Sequence, residues 1–465
     1  MHSYRGVRTR VVALAGSLVA VAVAVTPGAW AASTDTAAKE QTWTQVTDSE
    51  GRNIDEVSVA RTEDGVLHVL WHARVVSNLE EIRDTPVDTD GEVGDPATAS
   101  AGWPSAGNPA VIVTSDGGLR VFFPGLTLSS GTGSGMQSAT SDSQGTTWTE
   151  QGARVSSSQS AMPDGIGAAL RQDGTPAFAY AVSFTLGLHF GLNPADPDTD
   201  LLTGNACCDY MPNLAFSETD DDGYIAWYSN VDDQVGLWVQ PIWPSIGTAT
   251  AVPKSAVDGE AIGPSQRTPI AARTGAEGTY VAYCSGYPTC KEVLLWQIGE
   301  DEPITVATGT DIEDVNLAAD PDGRLWVMWE DTAETSLFAL RTDEDASELG
   351  AIVEFKEAPD TDTVWKLQGH ASSDSLDVFA SFTTPDSLAT WHTQVLPGLT
   401  VDTKKTKKNV TFTVSDAGEP IKGAKVAFKK KTVTTNAKGQ ATGPVGKGTA
   451  TVTRSGYTTA IAVVK

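Results

Sequence analysis

Seven segments of the chain share one pattern, and this pattern recurs at nearly regular intervals. In each, small apolar residues lead into a turn rich in Asp, Gly and Ser, and alternating apolar residues then run to an aromatic residue. The seven terminal aromatics are Trp71, Phe123, Tyr180, Trp227, Tyr283, Trp329 and Phe382. Asp-Gly between segments of period two is a strong signal for a β-hairpin. The pattern therefore indicates a hairpin repeated every 46 to 57 residues.

A repeat of this length, with several short strands in each unit, is typical of a β-propeller. A single four-stranded sheet leaves both faces exposed, whereas radial stacking buries each face against a neighbour and leaves only short edges. We predict an all-β chain whose residues 32–396 form a propeller of seven blades, or of six if one repeat is irregular. The terminal aromatics are expected to fill the space between blades.

The two ends of the predicted ring complement each other. The segment "TWTQV" (residues 42–46) has the sequence of an outer strand but no blade before it. The seventh repeat ends at "ATWHTQVLPG" with a third strand and no fourth behind it. We expect the N-terminal segment to supply the missing outer strand, so that hydrogen bonds close the ring.

The first 31 residues have the features of an export signal. Arg5, Arg8 and Arg10 precede the apolar run "VVALAGSLVAVAVAV", and Ala29–Ala31 form a small-x-small cleavage site. The apolar run is short for a membrane span, and no later segment is apolar enough for one. We therefore predict a secreted, extracellular protein without a membrane span, and cell-wall association is a further expectation.

Charge divides the chain into an acidic body and a basic C-terminal region. Residues 401–465 carry a net charge of +10, whereas residues 32–400 carry −40. We predict a Lys-rich linker at 397–408 and a small β-sandwich at 409–465. An acidic body repels nucleic acid, so none is expected as a partner. The sandwich is the candidate contact for an anionic cell-wall polymer, through Lys404, Lys405, Lys407, Lys408, Lys429, Lys430 and Lys431.

Two parts of the chain resemble known families. "GEPIKGAKVAF", "TTNAKGQA" and "SGY" near the C-terminus resemble the transthyretin-like, carboxypeptidase-regulatory type of bacterial sandwich module, whose members act as spacers or adhesive accessories. Ser141–Trp148, "SDSQGTTW", resembles the Asp-box, or bacterial neuraminidase repeat, of sialidases, with Ser143 at the position of the Asp. That box is structural, since its Gly permits the bend and its Trp plugs the blade.

The first repeat, "TEDGVLHVLWHAR", is similar to the opening strand pair of sialidases. By that resemblance the general-acid Asp falls on His72, and the first Arg of the carboxylate-binding triad falls on Asp55. A sialic acid site needs clustered Arg side chains to hold the sugar carboxylate. The resemblance therefore implies the sialidase fold, with both of these catalytic positions changed.

Residues that precede first strands or follow second strands are expected to line one opening of the propeller. The candidate ligand-binding residues are His72, Arg74, Tyr210, Asn230, Arg267 and Tyr287. Further residues expected on the same rim are Asp55, Asp164, Asn213, Asp314, Glu330, Asp331 and Lys366. We predict binding of an extracellular glycan or a surface protein there. The alternative is a glycoside hydrolase of exo-sialidase type with relocated catalytic groups, so enzymatic activity stays open.

Carboxylates provide the candidate catalytic groups. Glu330, Asp331 and Asp314 follow or precede strands of the sixth repeat and offer an acid–base pair for glycoside hydrolysis. We expect His68 and His72 to be packed or solvated, and we predict no metal site. The acidic runs 196–200 and 219–223 offer oxygen ligands for calcium but lack EF-hand spacing. No other cofactor is expected.

The four cysteines lie in the acidic body, and export permits their oxidation. Cys284 and Cys290 are expected to close a short loop. Cys207 and Cys208 would then form a vicinal ring or stay as thiols, and cross-pairing between the two loops is the alternative.

Overall fold

The structure is a computed structural model, and every regular element among its described residues is a β-strand. It describes residues 42–47, 56–75, 79–127, 134–163, 165–182, 187–196, 200–203, 209–231, 234–256, 266–285, 290–359, 361, 363–383 and 388–465. The predicted export signal lies outside these ranges. Within them, no helix is long and apolar enough to cross a membrane.

The strands are short and follow one another along the chain. Those before residue 260 are β1 (Thr44–Gln45), β2 (Ser58–Arg61), β3 (Leu67–Arg74), β4 (Glu80–Val87), β5 (Ala97–Trp103), β6 (Ser105–Ala106), β7 (Ala110–Val113), β8 (Leu119–Leu126), β9 (Gly135–Ser141), β10 (Trp148–Glu150), β11 (Ile166–Leu170), β12 (Pro176–Ala181), β13 (Leu188–Gly191), β14 (Asp200–Thr203), β15 (Asp209–Phe216), β16 (Gly223–Ser229), β17 (Gly236–Trp243) and β18 (Thr250–Ala251). Those between residues 260 and 400 are β19 (Ile270–Ala272), β20 (Thr279–Ser285), β21 (Cys290–Gln297), β22 (Ile304–Ala319), β23 (Leu325–Asp331), β24 (Ser336–Arg341), β25 (Val353–Lys356), β26 (Thr363–Ala371), β27 (Leu376–Thr383) and β28 (Leu388–Val395). The C-terminal strands are β29 (Thr400–Lys405), β30 (Asn409–Asp416), β31 (Glu419–Pro420), β32 (Lys425–Phe428), β33 (Lys431–Thr434), β34 (Gln440–Pro444), β35 (Gly448–Thr453) and β36 (Ala460–Val464).

Up to β28 the sheets are antiparallel meanders. Four are β2–β5, β6–β10, β11–β14 and β15–β18, and β26–β28 form another with β1. The strands β19–β25 form one seven-stranded sheet, because the first half of β22 pairs with β21 and its second half pairs with β23. β22 is thus the outer strand of one repeat and the inner strand of the next. The predicted all-β propeller is confirmed, and the blade number of seven stays a prediction.

The seven terminal aromatics are packed between neighbouring sheets, as predicted. None is more than 3% exposed, and each belongs to an apolar cluster of buried side chains. Phe122 and Phe178, from adjacent sheets, stack with ring centroids 5.2 Å apart. Successive side chains of a strand point to opposite faces of its sheet. Because each sheet is covered by a neighbour on both faces, apolar residues lie on both.

The N-terminal segment closes the ring, which confirms the sequence prediction. β1 pairs antiparallel with β28, with Thr44 opposite His392 and Gln45 opposite Trp391. Trp43 packs edge-on against Phe382 with centroids 5.3 Å apart. Hydrogen bonds and one half-buried indole therefore replace a covalent connection between the ends of the ring.

The altered Asp-box forms the turn between β9 and β10. Gly145 has φ +63°, and a Cβ there would collide with the carboxylate of Asp84. Trp148 Nε1 donates to the Gly145 carbonyl at 2.9 Å, and Asp142 accepts from the backbone of the turn. Below it, His68 Nδ1 lies 2.9 Å from Asp84 Oδ2, so this histidine is packed as expected.

The C-terminal residues form two four-stranded sheets around one apolar core. β29, β30, β31 and β34 make one sheet, and β33, β32, β35 and β36 make the other. Residues 400–405 were expected in a linker, but they form β29, which pairs with β30. The expectation failed because the outward side chains of this strand are polar and exposed, so the segment lacks an apolar alternation. The resemblance to transthyretin-like modules stays a prediction.

Candidate functional site

The propeller has two distinct faces. First strands begin and second strands end on one face, which we call the mouth, and the turns between first and second strands lie on the other, which we call the turn face. Five residues that the sequence assigns to the mouth lie outside the described residues, namely Asp55, Asp164, Cys207, Cys208 and Tyr287.

An ion pair between Arg267 and Glu56 is buried at the centre of the mouth. Arg267 Nε donates to Glu56 Oε1 at 2.7 Å, and Nη2 donates to the Val57 and Pro109 carbonyls at 3.2 and 3.1 Å. Gln368 Nε2 donates to the same carboxylate at 2.7 Å. Because Arg267 precedes β19 and Glu56 precedes β2, the pair joins distant parts of the ring. The guanidinium of Arg267 holds the ring together, and its role as a ligand contact stays a prediction.

Two asparagine side chains form further hydrogen bonds between neighbouring repeats. Asn213 Nδ2 donates to the Thr268 carbonyl at 3.0 Å, and Asn316 Nδ2 donates to the Leu367 carbonyl at 2.8 Å. Each asparagine also accepts from the N–H of the leucine that follows it. The sequence signal is the repeated "NLA" at 213–215 and 316–318. Asn213 was expected on the rim, and its amide instead bridges two inner strands.

His72 and Arg74, two of the predicted ligand-binding residues, converge on Glu80. His72 Nε2 lies 3.0 Å from Glu80 Oε2, and Arg74 Nη2 lies 2.7 Å from Glu80 Oε1. The Ala106 N–H also donates to Glu80, at 2.6 Å. Burial raises the pKa of Glu80, but the hydrogen bonds from His72, Ala106 and Arg74 outweigh it and bring the pKa to about 2. Glu80 is therefore an anion that balances the positive charge of Arg74 on this side of the mouth.

Glu330, at the end of β23, has the opposite environment. Its side chain is 2% exposed, and Oε2 has no hydrogen-bond partner among the described residues. Burial raises the pKa of Glu330, and nearby carboxylates raise it further, to about 9. Those carboxylates belong to Asp314, Glu357, Glu313 and Asp331. Glu330 is therefore a neutral acid at pH 7, surrounded by groups that bear negative charge.

The other two catalytic candidates differ from each other. Asp331 is 3% exposed, and its oxygens accept from the backbone N–H groups of Thr310 and Ala333 at 3.0 and 3.2 Å, so it fixes local loops. Asp314 is half-buried, lies in a β-bulge of β22 and has φ +47°. Bulges re-aim side chains at the rims of closed sheets. Among the described residues, no three His, Cys, Asp or Glu side chains are placed to hold a metal ion together.

An exposed tryptophan lies on the neighbouring inner strand. The Trp365 side chain is 46% exposed, in a bulge of β26 between Val364 and Lys366. Val364 packs in the same apolar cluster as Met328, which precedes Glu330 on β23 by two residues. Lys366 Nζ lies 4.9 Å from the centroid of the Trp365 ring. β22 lies beside both β23 and β26, and we call the residues Glu313, Asp314, Glu330, Trp365 and Lys366 at the mouth end of these three strands the Trp365 cleft.

Two further candidates lie elsewhere on the mouth. Tyr210 is half-buried and stacks on Tyr228 with centroids 6.4 Å apart, and Asn230 is exposed just after β16.

Cys284 and Cys290 form a disulfide that closes the loop between β20 and β21. The predicted pairing of these two cysteines is confirmed.

A groove of about 380 Å³ lies on the turn face, between the hairpin turns of neighbouring sheets, and a cavity of about 250 Å³ adjoins it. The guanidinium of Arg171 covers the ring of Trp243 there, 3.8 Å from its centroid. Trp243 Nε1 donates to Asp221 at 2.7 Å. This indole is therefore already stacked and hydrogen-bonded within the fold.

No family model matches the sequence, and no curated protein matches it either. Among solved structures, the BP39L lectin from Burkholderia pseudomallei has 14% identity and a TM-score of 0.50, with 78% of this chain and 96% of that chain covered. Penicillium chrysogenum α-L-arabinanase, solved with arabinobiose, has 12% identity and a TM-score of 0.43, with 63% and 94% covered. The Hadza microbial sialidase Hz136 has 12% identity and a TM-score of 0.44, with 74% and 66% covered. The chain folds as a β-propeller.

Sequence reasoning missed three residues of the mouth. Trp365 does not end a repeat, so the periodic pattern gave no reason to examine it. Glu56 and Glu80 lie among 59 acidic residues, and only pairing across strands distinguishes them. One signal was available for Glu80, because the hairpin from β3 to β4 sets it opposite Arg74.

Proposed function

We propose that the chain binds glycans at the Trp365 cleft. The exposed indole of Trp365 beside a group of carboxylates carries this proposal. Sugars present a C–H face that packs on an aromatic ring and hydroxyl groups that donate to carboxylate oxygens. The half-buried Asp314 and the exposed Glu313 supply acceptors.

The charge of the cleft restricts the glycan class. Asp314 and Glu313 lie close enough to Glu330 to raise its pKa, so a ligand carboxylate would meet repulsion there. Arg74 and Arg267, the arginines that the sequence assigned to the mouth, each pair with a glutamate. Neutral or amino sugars fit the cleft better than sialic acid.

The test is a glycan array with the purified chain from residue 32 onward, followed by calorimetry on the best ligand. Trp365→Ala should weaken binding roughly tenfold or more, since truncating an aromatic residue that the bound ligand covers costs on the order of 2 kcal/mol. Trp243→Ala is the matched control, because it removes an indole from the turn face. If Trp243→Ala abolished binding and Trp365→Ala did not, the binding site would lie in the turn-face groove.

A second candidate function, glycoside hydrolysis, is favoured by the pKa of Glu330, which burial and neighbouring carboxylates raise to about 9. A protonated carboxyl beside an ionised carboxylate is the pair that such hydrolysis needs. Glu330 would act as general acid and Asp314 as its partner. A panel of fluorogenic glycosides tests this, with Glu330→Gln expected to abolish turnover and leave binding within about threefold. Absence of turnover, with glycan binding intact, would leave binding as the function.

A further inference from the structure

The topology of residues 400–465 separates two ends of this C-terminal module. β30 begins at Asn409 and ends at Asp416, and β34, β32 and β35 lie antiparallel to their neighbours. The turns 417–418 and 454–457 therefore fall at one end, which we call the docked end. The turns 406–408 and 429–430, the loop 445–447 and residue 465 fall at the other, which we call the tip.

The docked end is fixed to the turn face of the propeller by ion pairs. Arg341 Nε donates to Asp416 Oδ2 at 2.9 Å, and both side chains are almost fully buried. Arg324 Nη2 lies 2.6 Å from Glu419 Oε2. Tyr457 Oη lies 3.4 Å from Nη2 of Arg341. Two of the three acidic residues in 401–465 are thus neutralised by propeller arginines.

Lysines are concentrated at the tip. Eight exposed lysines belong to it, namely Lys405, Lys407, Lys408, Lys429, Lys430, Lys431, Lys447 and Lys465. The four tip segments contain no Asp or Glu side chain. Lys405 Nζ lies 3.1 Å from the Lys465 carbonyl, and the side chain of Lys429 lies directly against Gly446. Separate segments therefore join into one basic surface.

The turn at Lys429 and Lys430 is strained. Their φ angles are +48° and +62°, in a two-residue hairpin turn between β32 and β33. This turn favours Asn-Gly, because a side chain such as lysine is disfavoured at positive φ. Strain that a structure tolerates is a reason to look for function at the strained residues. Here it places two exposed lysines next to each other at the tip.

We propose that the tip binds a linear, phosphate-bearing polymer. This ligand is different from the glycan proposed at the mouth, and its binding does not depend on that proposal. Lysines act as point charges that suit spaced phosphates without fixed geometry. No aromatic side chain is exposed at the tip, since Phe412 and Phe428 are buried and Tyr457 lies at the docked end. The tip thus lacks the stacking groups of single-strand nucleic-acid sites and the aromatic anchors of membrane helices.

The distance from the propeller makes this binding compatible with an acidic body. β30 has eight residues and spans roughly 25 Å at about 3.3 Å per residue. The Debye length at physiological ionic strength is about 8 Å. The negative body is therefore screened from a polymer that contacts the tip.

The test measures binding of the chain from residue 32 onward to synthetic poly(glycerol phosphate) at several salt concentrations. Lys429→Gln, Lys430→Gln and Lys431→Gln are combined in one variant. Its affinity should fall roughly tenfold or more, and the slope of log K against log salt should become shallower by about two. The matched control combines K422Q, K425Q and K438Q, which remove three exposed charges from the half of the module nearer the docked end. The control should lose less than about threefold.

A second variant separates function from fold. Lys429→Asn with Lys430→Gly gives the turn its preferred residues and removes two charges. We expect a higher melting temperature together with weaker polymer binding, a combination that a purely structural role for these lysines excludes.

Three results would overturn the proposal: no binding to poly(glycerol phosphate) at low salt, an equal loss in the control variant, or tighter binding to single-stranded DNA or phosphatidylglycerol vesicles than to the polymer. The glycan array does not depend on these lysines, so failure here leaves the mouth proposal intact.

Discussion

Two buried glutamates on the mouth, Glu80 and Glu330, have opposite protonation states at pH 7. Their exposed fractions are 3% and 2%, but Glu330 lies deeper within the protein than Glu80. Glu80 lies beside His72 and Arg74, and its pKa falls to about 2 despite burial. Glu330 lies among carboxylates, and both burial and these neighbours raise its pKa to about 9.

The difference shows that neighbouring groups, together with depth, set the charge of a buried carboxyl on this face. Desolvation disfavours the ionised form in both cases. Cationic and N–H donors around Glu80 reverse that effect, whereas Glu330 Oε2 has no donor among the described residues. One side of the mouth is therefore a carboxylate paired with cationic and N–H donors, and the other is a protonated carboxyl among further carboxylates.

The largest expected effect comes from Glu330→Gln as the pH rises. Between about pH 4.5 and pH 9 the folded chain keeps a proton on Glu330 that the unfolded chain releases. The free energy of unfolding therefore falls with pH, by up to about 1.4 kcal/mol per pH unit from this group. Glutamine imitates the protonated acid at every pH. We expect the variant to match the wild type near pH 4 and to be several kcal/mol more stable at pH 9.

Urea unfolding of both chains across this pH range measures the difference. Glu313 and Glu357 have raised pKa values too, because of burial, but they are present in both chains and cancel. A difference that stays flat from pH 5 to pH 9 would mean that Glu330 is ionised in the fold, and the comparison would fail.

Glu80→Gln should have the opposite sign and a smaller effect. It leaves His72 and Arg74 without their anion and turns an amide N–H₂ toward donors, which costs about 2–4 kcal/mol at pH 7. Because the folded pKa of Glu80 is about 2, this stabilisation is complete above about pH 4.5 and is lost as the pH falls toward 2. The penalty measured by urea unfolding should therefore shrink between pH 5 and pH 3. An equal penalty at both pH values would show that packing, and not charge, is responsible.

The sequence predicted the propeller because its information is local and repeated. Asp-Gly turns mark five of the seven hairpins, and the unmatched outer strand at residues 42–46 indicated how the ring closes. Cys284 and Cys290 were paired correctly since a short loop separates them. The strand at 400–405 was missed because an exposed edge strand of Thr and Lys lacks an apolar alternation.

The site was predicted only in part, because charge environments depend on contacts between distant repeats. Arg267 follows a turn-like segment in the sequence, and nothing there indicates that Glu56 lies within 2.7 Å across the ring. Glu330 and Asp314 were named as a pair from their places at strand ends, which the β22–β23 hairpin brings together. Their surroundings also include Glu357, which lies beyond β25 and which no local pattern connects to them.

The smallest expected effect, and the sharpest test of cause, is Asp314→Asn. Asp314 is the carboxylate that raises the pKa of Glu330 most, after burial itself. Asparagine tolerates the φ of +47° at this position, so the bulge should persist. Removal of one like charge should lower the pKa of Glu330. The pH at which the stability curves of the wild type and Glu330→Gln stop diverging should therefore be lower when both chains carry Asp314→Asn.

Asp311→Asn is the matched control. Asp311 raises the pKa of Glu313, and its substitution should leave the pKa of Glu330 nearly unchanged. If both substitutions shift the curve equally, the net charge of the whole mouth controls Glu330, and the contrast with Glu80 does not depend on individual neighbours.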